Sequence, residues 1–242
     1  GDLEESYHAL YMKDAIERAG IRCKIITGLS GLAWDNDGNV VDPDGEKVEQ
    51  VWKTWAWETA LDEIRHQIDD DAENLRLHRL IDRKTVSPRL VDVLLRPEVM
   101  VYEPLWTLIP SNKAILPVLS TMFPRNRYVL NTQTVLTDEL KKSGYVAKPI
   151  VGRSGANISI YDSNSNLVEE TAGRFDDRDQ IYQELFPLPV LDGRSVQICT
   201  FTVDGAFSGG TVRADASPII TTNSDIFPLR ILSNKEMLAA SR

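Results

Sequence analysis

The sequence predicts a mixed α/β chain of the α+β kind, with mixed sheets and a small β-rich lid followed by a larger strand layer. Three observations lead there. Residues 3–19 carry apolar side chains at helical spacing, and a strand-like run follows directly. Two clusters of Asp, Asn, Gly and Pro punctuate residues 35–45. From Tyr145 onward the pattern changes to short apolar runs separated by turn residues.

In chain order, Leu3, Tyr7, Leu10, Tyr11, Ala15 and Ala19 recur three or four apart, which predicts a helix that Gly20 can end. Ile21 to Ile26 reads as a strand. Asp35-Asn36-Asp37-Gly38-Asn39 is turn chemistry, and Val40-Val41 before Pro43-Asp44-Gly45 suggests a short hairpin. Trp52 to Ile64 reads as helical in its second half. Ser87 can cap a helix running to Leu95, with Pro88 at its first position. Val99 to Tyr102 is a compact apolar strand, and Lys113 to Phe123 a helix stopped by Pro124. Tyr145–Ile150, Asn157–Tyr161, Ser195–Val203 and Phe207–Arg213 are then strands, with turns at 162–166 and 204–205.

Composition narrows the function classes. With 242 residues, 42% hydrophobic and 26% charged, the chain has the make-up of an ordinary globular protein. No apolar run approaches the roughly 18 residues of a membrane span, and residues 1–5 lack the features of a signal peptide. There is no initiator Met, so the chain is expected to begin inside a longer protein or after an engineered cut. A net charge of −9 argues against nucleic-acid binding, which rests on clustered Lys and Arg. The acidic run Asp69–Glu73 is expected at an exposed loop or helix end. Cys23 and Cys199 form no CxxC, which points to a reducing cytoplasm, and both are expected to be buried and inert. His8, His66 and His78 form no ligand-spaced pair.

The richest chemistry lies in Lys148-Pro149-Ile150-Val151-Gly152-Arg153-Ser154-Gly155-Ala156-Asn157. A strand delivers a lysine and a glycine turn follows at once. Glycines let backbone N–H groups approach phosphate oxygens, and a fixed ammonium neutralises charge. The spacing is neither that of a P-loop nor GxGxxG. Taken alone, the segment reads better as a β-hairpin with a glycine turn and an exposed lysine. Lys113, at a loop-to-helix junction, changes the balance, because a nucleotide can be gripped by one lysine from each side.

Several segments then resemble the glutathionylspermidine synthase family of ATP-grasp carboxylate–amine ligases. Tyr102 to Pro117 is similar to its EPLW…NKAxLP signature, Lys53 to Leu61 to its KTWAWETAL segment, and Tyr145 to Asn157 to its YVxKPIxGRxGxNI pattern. Phe186–Pro189, Val212-Arg213 and Ile219-Ile220-Thr221 also fit, in the family's order. The resemblance implies that Lys113 and Lys148 contact ATP and that Ser154-Gly155 closes over its phosphates. Gln183, Glu184, Leu185 and Phe186 would fall where adenine binds. Gln197, Arg213, Pro218, Ile219 and Ile220 correspond to later nucleotide-proximal positions, with Arg213 as the catalytic one. Glu4, Glu5 and Thr59 correspond to the glutathione side. The residues themselves also permit plainer roles: Thr59 packed behind tryptophans, Glu4 and Glu5 as solvated helix charges, and Trp52, Trp55 and Trp57 as core.

The resemblance further implies three segments: 1–110 on the substrate side, 111–185 as the lid region, and 186–242 as core strands. The implied reaction activates the glycine carboxylate of glutathione as an acyl phosphate, which a primary amine of spermidine or a similar polyamine then displaces. ATP and Mg²⁺ are implied, with the metal-binding residues expected upstream of Glu4-Glu5, outside this chain. Nucleotide binding without catalysis, and ligation of other acid–amine pairs, stay open. An amidase domain, present in some members, is absent from these residues.

Overall fold

The computed structural model describes residues 3–78, 87–234 and 236–237. Lys235 and residues 238–242, the end of the expected third segment, lie outside the described residues. The chain divides into two compact units, Gly1–Leu108 and Ile109–Arg242. Its helices and several sheets agree with the α+β class expected from sequence. Among the described residues no helix is long and apolar enough to cross a membrane.

The first unit opens with helix α1 (Leu3–Arg18). Gly20 ends it in the left-handed region at φ 83°, a backbone state open to glycine at no steric cost. The strand expected at Ile21–Ile26 does not form: these residues are mostly exposed and without regular structure. An isolated run cannot satisfy its backbone without a neighbouring ladder, and Lys24 instead bridges Asp42, Asp44 and Glu46. The expected hairpin does form, from β1 (Ala33–Trp34) and β2 (Val40–Val41). Asp35 fastens its turn by accepting from the Asn39 amide at 2.7 Å.

Strand β3 (Gln50–Trp52) pairs in parallel with β4 (Met100–Tyr102). Between them run helix α2 (Trp57–Arg76) and the short helix α3 (Leu90–Leu94). The acidic run 69–73 sits inside the last two turns of α2. The third helix starts later than Ser87-Pro88 predicts. Its N-cap position is Arg89, whose backbone N–H and guanidinium both donate to the Asp92 carboxylate, while Pro88 is buried before it. Leu32, Val40, Trp57, Ala60, Leu90 and Val93 form this unit's core, with Trp34 and Trp55 packed against it.

The boundary falls within the first turn of α4 (Leu108–Ser111), and the second unit continues with α5 (Ile115–Met122). The latter starts two residues after Lys113, which leaves that lysine in the preceding turn. Strands β5 (Thr132–Gln133), β6 (Tyr145–Pro149), β7 (Ser159–Tyr161), β8 (Leu167–Glu170) and β9 (Gln180–Glu184) make one sheet in the order β5-β9-β6-β7-β8. All of its pairings are antiparallel. Helix α6 (Asp138–Ser143) leads into β6, capped by the Thr137 hydroxyl and ended by Gly144 at φ 84°. A second antiparallel sheet runs β10 (Val190–Leu191), β11 (Arg194–Val203), β12 (Ala206–Asp215) and β13 (Asp225–Pro228).

Alternation along the strands gives the five-stranded sheet two different faces. On one, Tyr145 stacks on Tyr161 at 4.7 Å and meets Tyr182 edge-on. On the other, Val146, Ile158 and Ile160 pack with Ile219 from the segment after β12, with Leu185 against them. Lys148 and Gln183 belong to this second face, beside an apolar cluster rather than in open water. The cysteines depart from expectation: Cys23 and Cys199 are both half-exposed, and Cys23 lies in no strand.

Candidate functional site

Strand β6 delivers Lys148 to the apolar face. Its neighbour across β9 is Ile181, and Gln183 lies diagonally two residues on. Side chains in that relation reach one another, and the Lys148 ammonium donates to Gln183 Oε1 at 2.6 Å. Gln183 Nε2 donates in turn to Thr132 Oγ1 at 3.0 Å, and the Thr132 amide to Ser120 Oγ at 3.1 Å. Burial pushes the Lys148 pKa below the ordinary lysine value, and the charge of Lys113 pushes it the same way.

Lys113 reaches the same place from the turn before α5. Its backbone N–H donates to the Ile150 carbonyl at 2.8 Å, and its ammonium to the Gly152 carbonyl at 2.8 Å. Two cations are thus held near one another on the entry side of one glycine turn. Their mutual repulsion, with the desolvation of Lys148, is relieved by an anion placed between them.

The turn itself is wound by its backbone. Ser154, Gly155 and Asn157 all have positive φ, at 48°, 73° and 54°. A Cβ on Gly155 would fall 2.4 Å from the Ile220 carbonyl oxygen, so the turn closes on the 219–220 segment where no larger residue fits. Thr171 fastens it by donating to the Gly155 carbonyl at 2.5 Å and accepting from the Ile158 amide at 3.0 Å. Asn157 accepts from the Phe175 amide at 3.0 Å and donates to Asp176. Arg153 and Ser154 stay exposed.

At the far end of β9, the Glu184 amide donates to the Asn131 carbonyl and the Leu185 amide to that of Gly144. Among the described residues, no acceptor takes the Phe186 N–H. Leu185 is half-buried against the apolar cluster, and the Phe186 side chain is 61% exposed.

In the four-stranded sheet Gln197 lies opposite Arg213, with Gln197 exposed. Arg213 donates through Nη2 to the Thr221 carbonyl, while its Nε is buried without an acceptor among the described residues. Such buried donors are rare in folded proteins. The loop carrying exposed Pro218 and buried Ile219 and Ile220 is held by Asp215. Its carboxylate accepts from the Ser224 hydroxyl at 2.6 Å and the Ser217 amide at 3.0 Å. Both bonds, the Ser224 one foremost, hold the Asp215 pKa below the usual carboxylate value.

The second unit therefore brings together Lys113, Lys148, Gly155, Gln183, Leu185, Ile219 and Ile220, with Arg213 tied to the same loop at Thr221. Glu4, Glu5 and Thr59 belong to the first unit: Glu4 and Glu5 in the first turns of α1, Thr59 in the first turn of α2. Glu5 and Thr59 are exposed, so Thr59 is not packed behind the tryptophans. Trp57 is buried in the core, as its plainer role required; Trp52 and Trp55 are half-buried.

Several residues escaped the sequence reading. Thr132, Ser120 and Thr171 have no local signal for these roles, because the bonds that join Thr132 to Gln183, Thr132 to Ser120 and Thr171 to the glycine turn span 12 or more residues of sequence. Lys53 stood inside a recognised segment yet was passed over. It is 8% exposed, lies 5.0 Å over the Trp57 ring and donates to the Trp55 carbonyl at 3.0 Å. Trp57 Nε1 donates to the Glu103 carbonyl at 2.9 Å, which joins the 53–61 segment to the 102–117 segment.

A family profile described as glutathionylspermidine synthase preATP-grasp matches residues 1–232. The chain is 47% identical over 231 residues to the bifunctional glutathionylspermidine synthetase/amidase of Escherichia coli (strain K12), covering 96% of this chain and 37% of that protein. It is 39% identical over 236 residues to trypanothione synthetase of Crithidia fasciculata, covering 96% and 35%. To glutathionylspermidine synthase of the same organism it is 29% identical over 296 residues, covering 99% and 39%. The chain thus spans less than two-fifths of the length of these relatives.

Proposed function

Because the chain belongs to the glutathionylspermidine synthase family, we propose that its second unit forms the nucleotide site of an ATP-dependent carboxylate–amine ligase. The observation that carries this reading is the pair Lys113 and Lys148 at the entry of a wound glycine turn, with Lys148 destabilised by burial and by its neighbour. The triphosphate of ATP is the ligand that relieves both. Gly155 fits the reading, since a Cβ there would strike the Ile220 carbonyl and push the turn off the 219–220 segment. The sheet change supports the proposed boundary at 185: the five-stranded sheet ends at Glu184 and the four-stranded one begins at Val190.

In this reading adenine lies along Gln183–Phe186. The Phe186 N–H donates to the ring, and a backbone carbonyl of the segment accepts from the exocyclic amine. Leu185, Ile219 and Ile220 wall the base. Lys113, Lys148 and the Ser154-Gly155 turn hold the phosphates. The substrates proposed are glutathione, whose glycine carboxylate takes the γ-phosphoryl group as an acyl phosphate, and spermidine or a similar polyamine, whose primary amine displaces phosphate. A carboxylate resists an amine, and phosphorylation supplies the leaving group. Charge on the transferring oxygens dominates the barrier, so fixed cations lower it. Arg213 serves that role, with Gln197 beside it, and its unpartnered Nε is a donor in want of an acceptor. Glu4, Glu5 and Thr59 are proposed on the glutathione side.

Mg²⁺ chemistry is implied by the family. Among the described residues no group of three or more His, Cys, Asp or Glu could hold a metal ion. The test is phosphate release by the full-length protein. Release that requires glutathione and the polyamine together supports the ligase. Release with another acid–amine pair replaces the substrates, and ATP binding with no release under any pair leaves a binding role alone.

A further inference from the structure

We infer that Thr132 is a positioning residue that dictates which end of the Gln183 amide faces Lys148, and thereby aims the ammonium at the nucleotide; this rests on the nucleotide reading above. The argument is one of hydrogen-bond direction. A threonine hydroxyl has a single proton. Thr132 donates it to the Leu130 carbonyl at 3.0 Å. Toward Gln183, Oγ1 can then only accept, so at 3.0 Å Gln183 presents its NH₂ end. The other end, Oε1, is left pointing at the Lys148 ammonium, 2.6 Å away. A reversed amide would set NH₂ against an ammonium and a carbonyl oxygen against a hydroxyl with no proton to give.

The relay is rigid because of where it sits. Thr132 is 0% exposed and directly opposite Gln183 in the β5–β9 register. Its amide is anchored on Ser120 Oγ, itself buried. Gln183 is buried as well, so water does not readily replace a lost partner. A lysine stem has four rotatable bonds, and a free ammonium samples many positions. The relay selects one of them before any ligand arrives, which is preorganisation.

The test is calorimetric titration of the full-length protein with a non-hydrolysable ATP analogue. The variants are Thr132→Ser, Thr132→Cys, Thr132→Val and Lys148→Met. Serine keeps the hydroxyl, whereas the cysteine sulfur is a poor acceptor of similar size. Thr132→Ser is expected to bind as wild type, and Thr132→Cys and Thr132→Val about 3- to 10-fold more weakly, the worth of one neutral hydrogen bond. In turnover the loss appears in the KM for ATP with kcat held. In a Lys148→Met background Thr132→Cys is expected to cost nothing further. An additive loss there, or wild-type affinity in both Thr132→Cys and Thr132→Val while Lys148→Met is weakened, overturns the relay alone. Equal affinity in wild type and Lys148→Met overturns the nucleotide reading beneath it. If Thr132→Val does not fold, the serine–cysteine pair decides the matter.

Discussion

Replacing Lys148 by methionine removes the ammonium and keeps the hydrocarbon stem, so it separates charge from packing. In the free protein two effects oppose each other. The buried charge is lost, which relieves the desolvation and the Lys113 repulsion that lower its pKa. The Gln183 oxygen loses its donor, and an unpartnered buried acceptor costs about 1–3 kcal/mol. The two offset, and the melting midpoint is expected to move by no more than about 2–4 °C, equivalent to about 1 kcal/mol in a chain of this size. With nucleotide present nothing offsets the loss. A charge-assisted hydrogen bond is worth about 1.5–3 kcal/mol, so affinity falls about 10- to 150-fold. Titration calorimetry beside a thermal melt reads both. The pH dependence has a definite sign. A lysine whose folded pKa is depressed destabilises the fold while it is charged, and this is relieved as pH rises through the folded value. Phosphate binding needs the charged form, so wild-type affinity declines over the same rise, at lower pH than an ordinary lysine would give, and Lys148→Met flattens that limb. Unchanged affinity together with an unchanged pH profile would refute the assignment of Lys148 to the phosphates.

Gly155→Ala should be worse for binding than its size suggests. The new Cβ meets the Ile220 carbonyl oxygen at 2.4 Å at a φ of 73°, and the left-handed backbone alone costs an alanine about 1–2 kcal/mol; equal melting midpoint and equal ATP affinity would contradict it. Trp57→Phe removes the donor to the Glu103 carbonyl and is expected to destabilise by about 1–3 kcal/mol, measured by denaturant unfolding; a neutral result would mean this bond does not join the two segments energetically. Asp215→Asn tests the loop behind Ile219-Ile220. The Asp215 pKa is depressed by the Ser224 hydroxyl and the Ser217 amide, so its stabilising contribution is present above the ordinary carboxylate value and is lost as pH falls through the folded one. The variant should melt lower than wild type at neutral pH, with the gap closing in acid; a gap that stays constant with pH would count against it.

What was legible in the sequence depended on where the determining contacts lie. The 33–41 hairpin and the strands around Lys148 were readable, because turn residues and alternation are local signals. The start of α3 was misplaced because Ser-Pro is a strong local cue, whereas the operative cap pairs Arg89 with Asp92 and Gln67, the latter 22 residues away. The strand expected at 21–26 failed for the opposite reason: the run has apolar residues but no ladder to join among the described residues. Lys113 and Lys148 were visible as residues, but the relay through Gln183 to Thr132 spans 51 residues of sequence and exists only in the sheet register. Exposure was the least readable property, as half-exposed Cys199 and exposed Thr59 show.

The fastening of the glycine turn also bears on how fast it can move. Thr171, beside the end of β8, grips Gly155 and Ile158, and Asn157 grips residues 175–176. The turn cannot flutter alone as a free loop tip would on the nanosecond scale. Any opening carries these flanking segments with it as one body, which belongs to the microsecond-to-millisecond range. Relaxation dispersion on the amides of 152–158 should then show one shared exchange rate with those of 171–176.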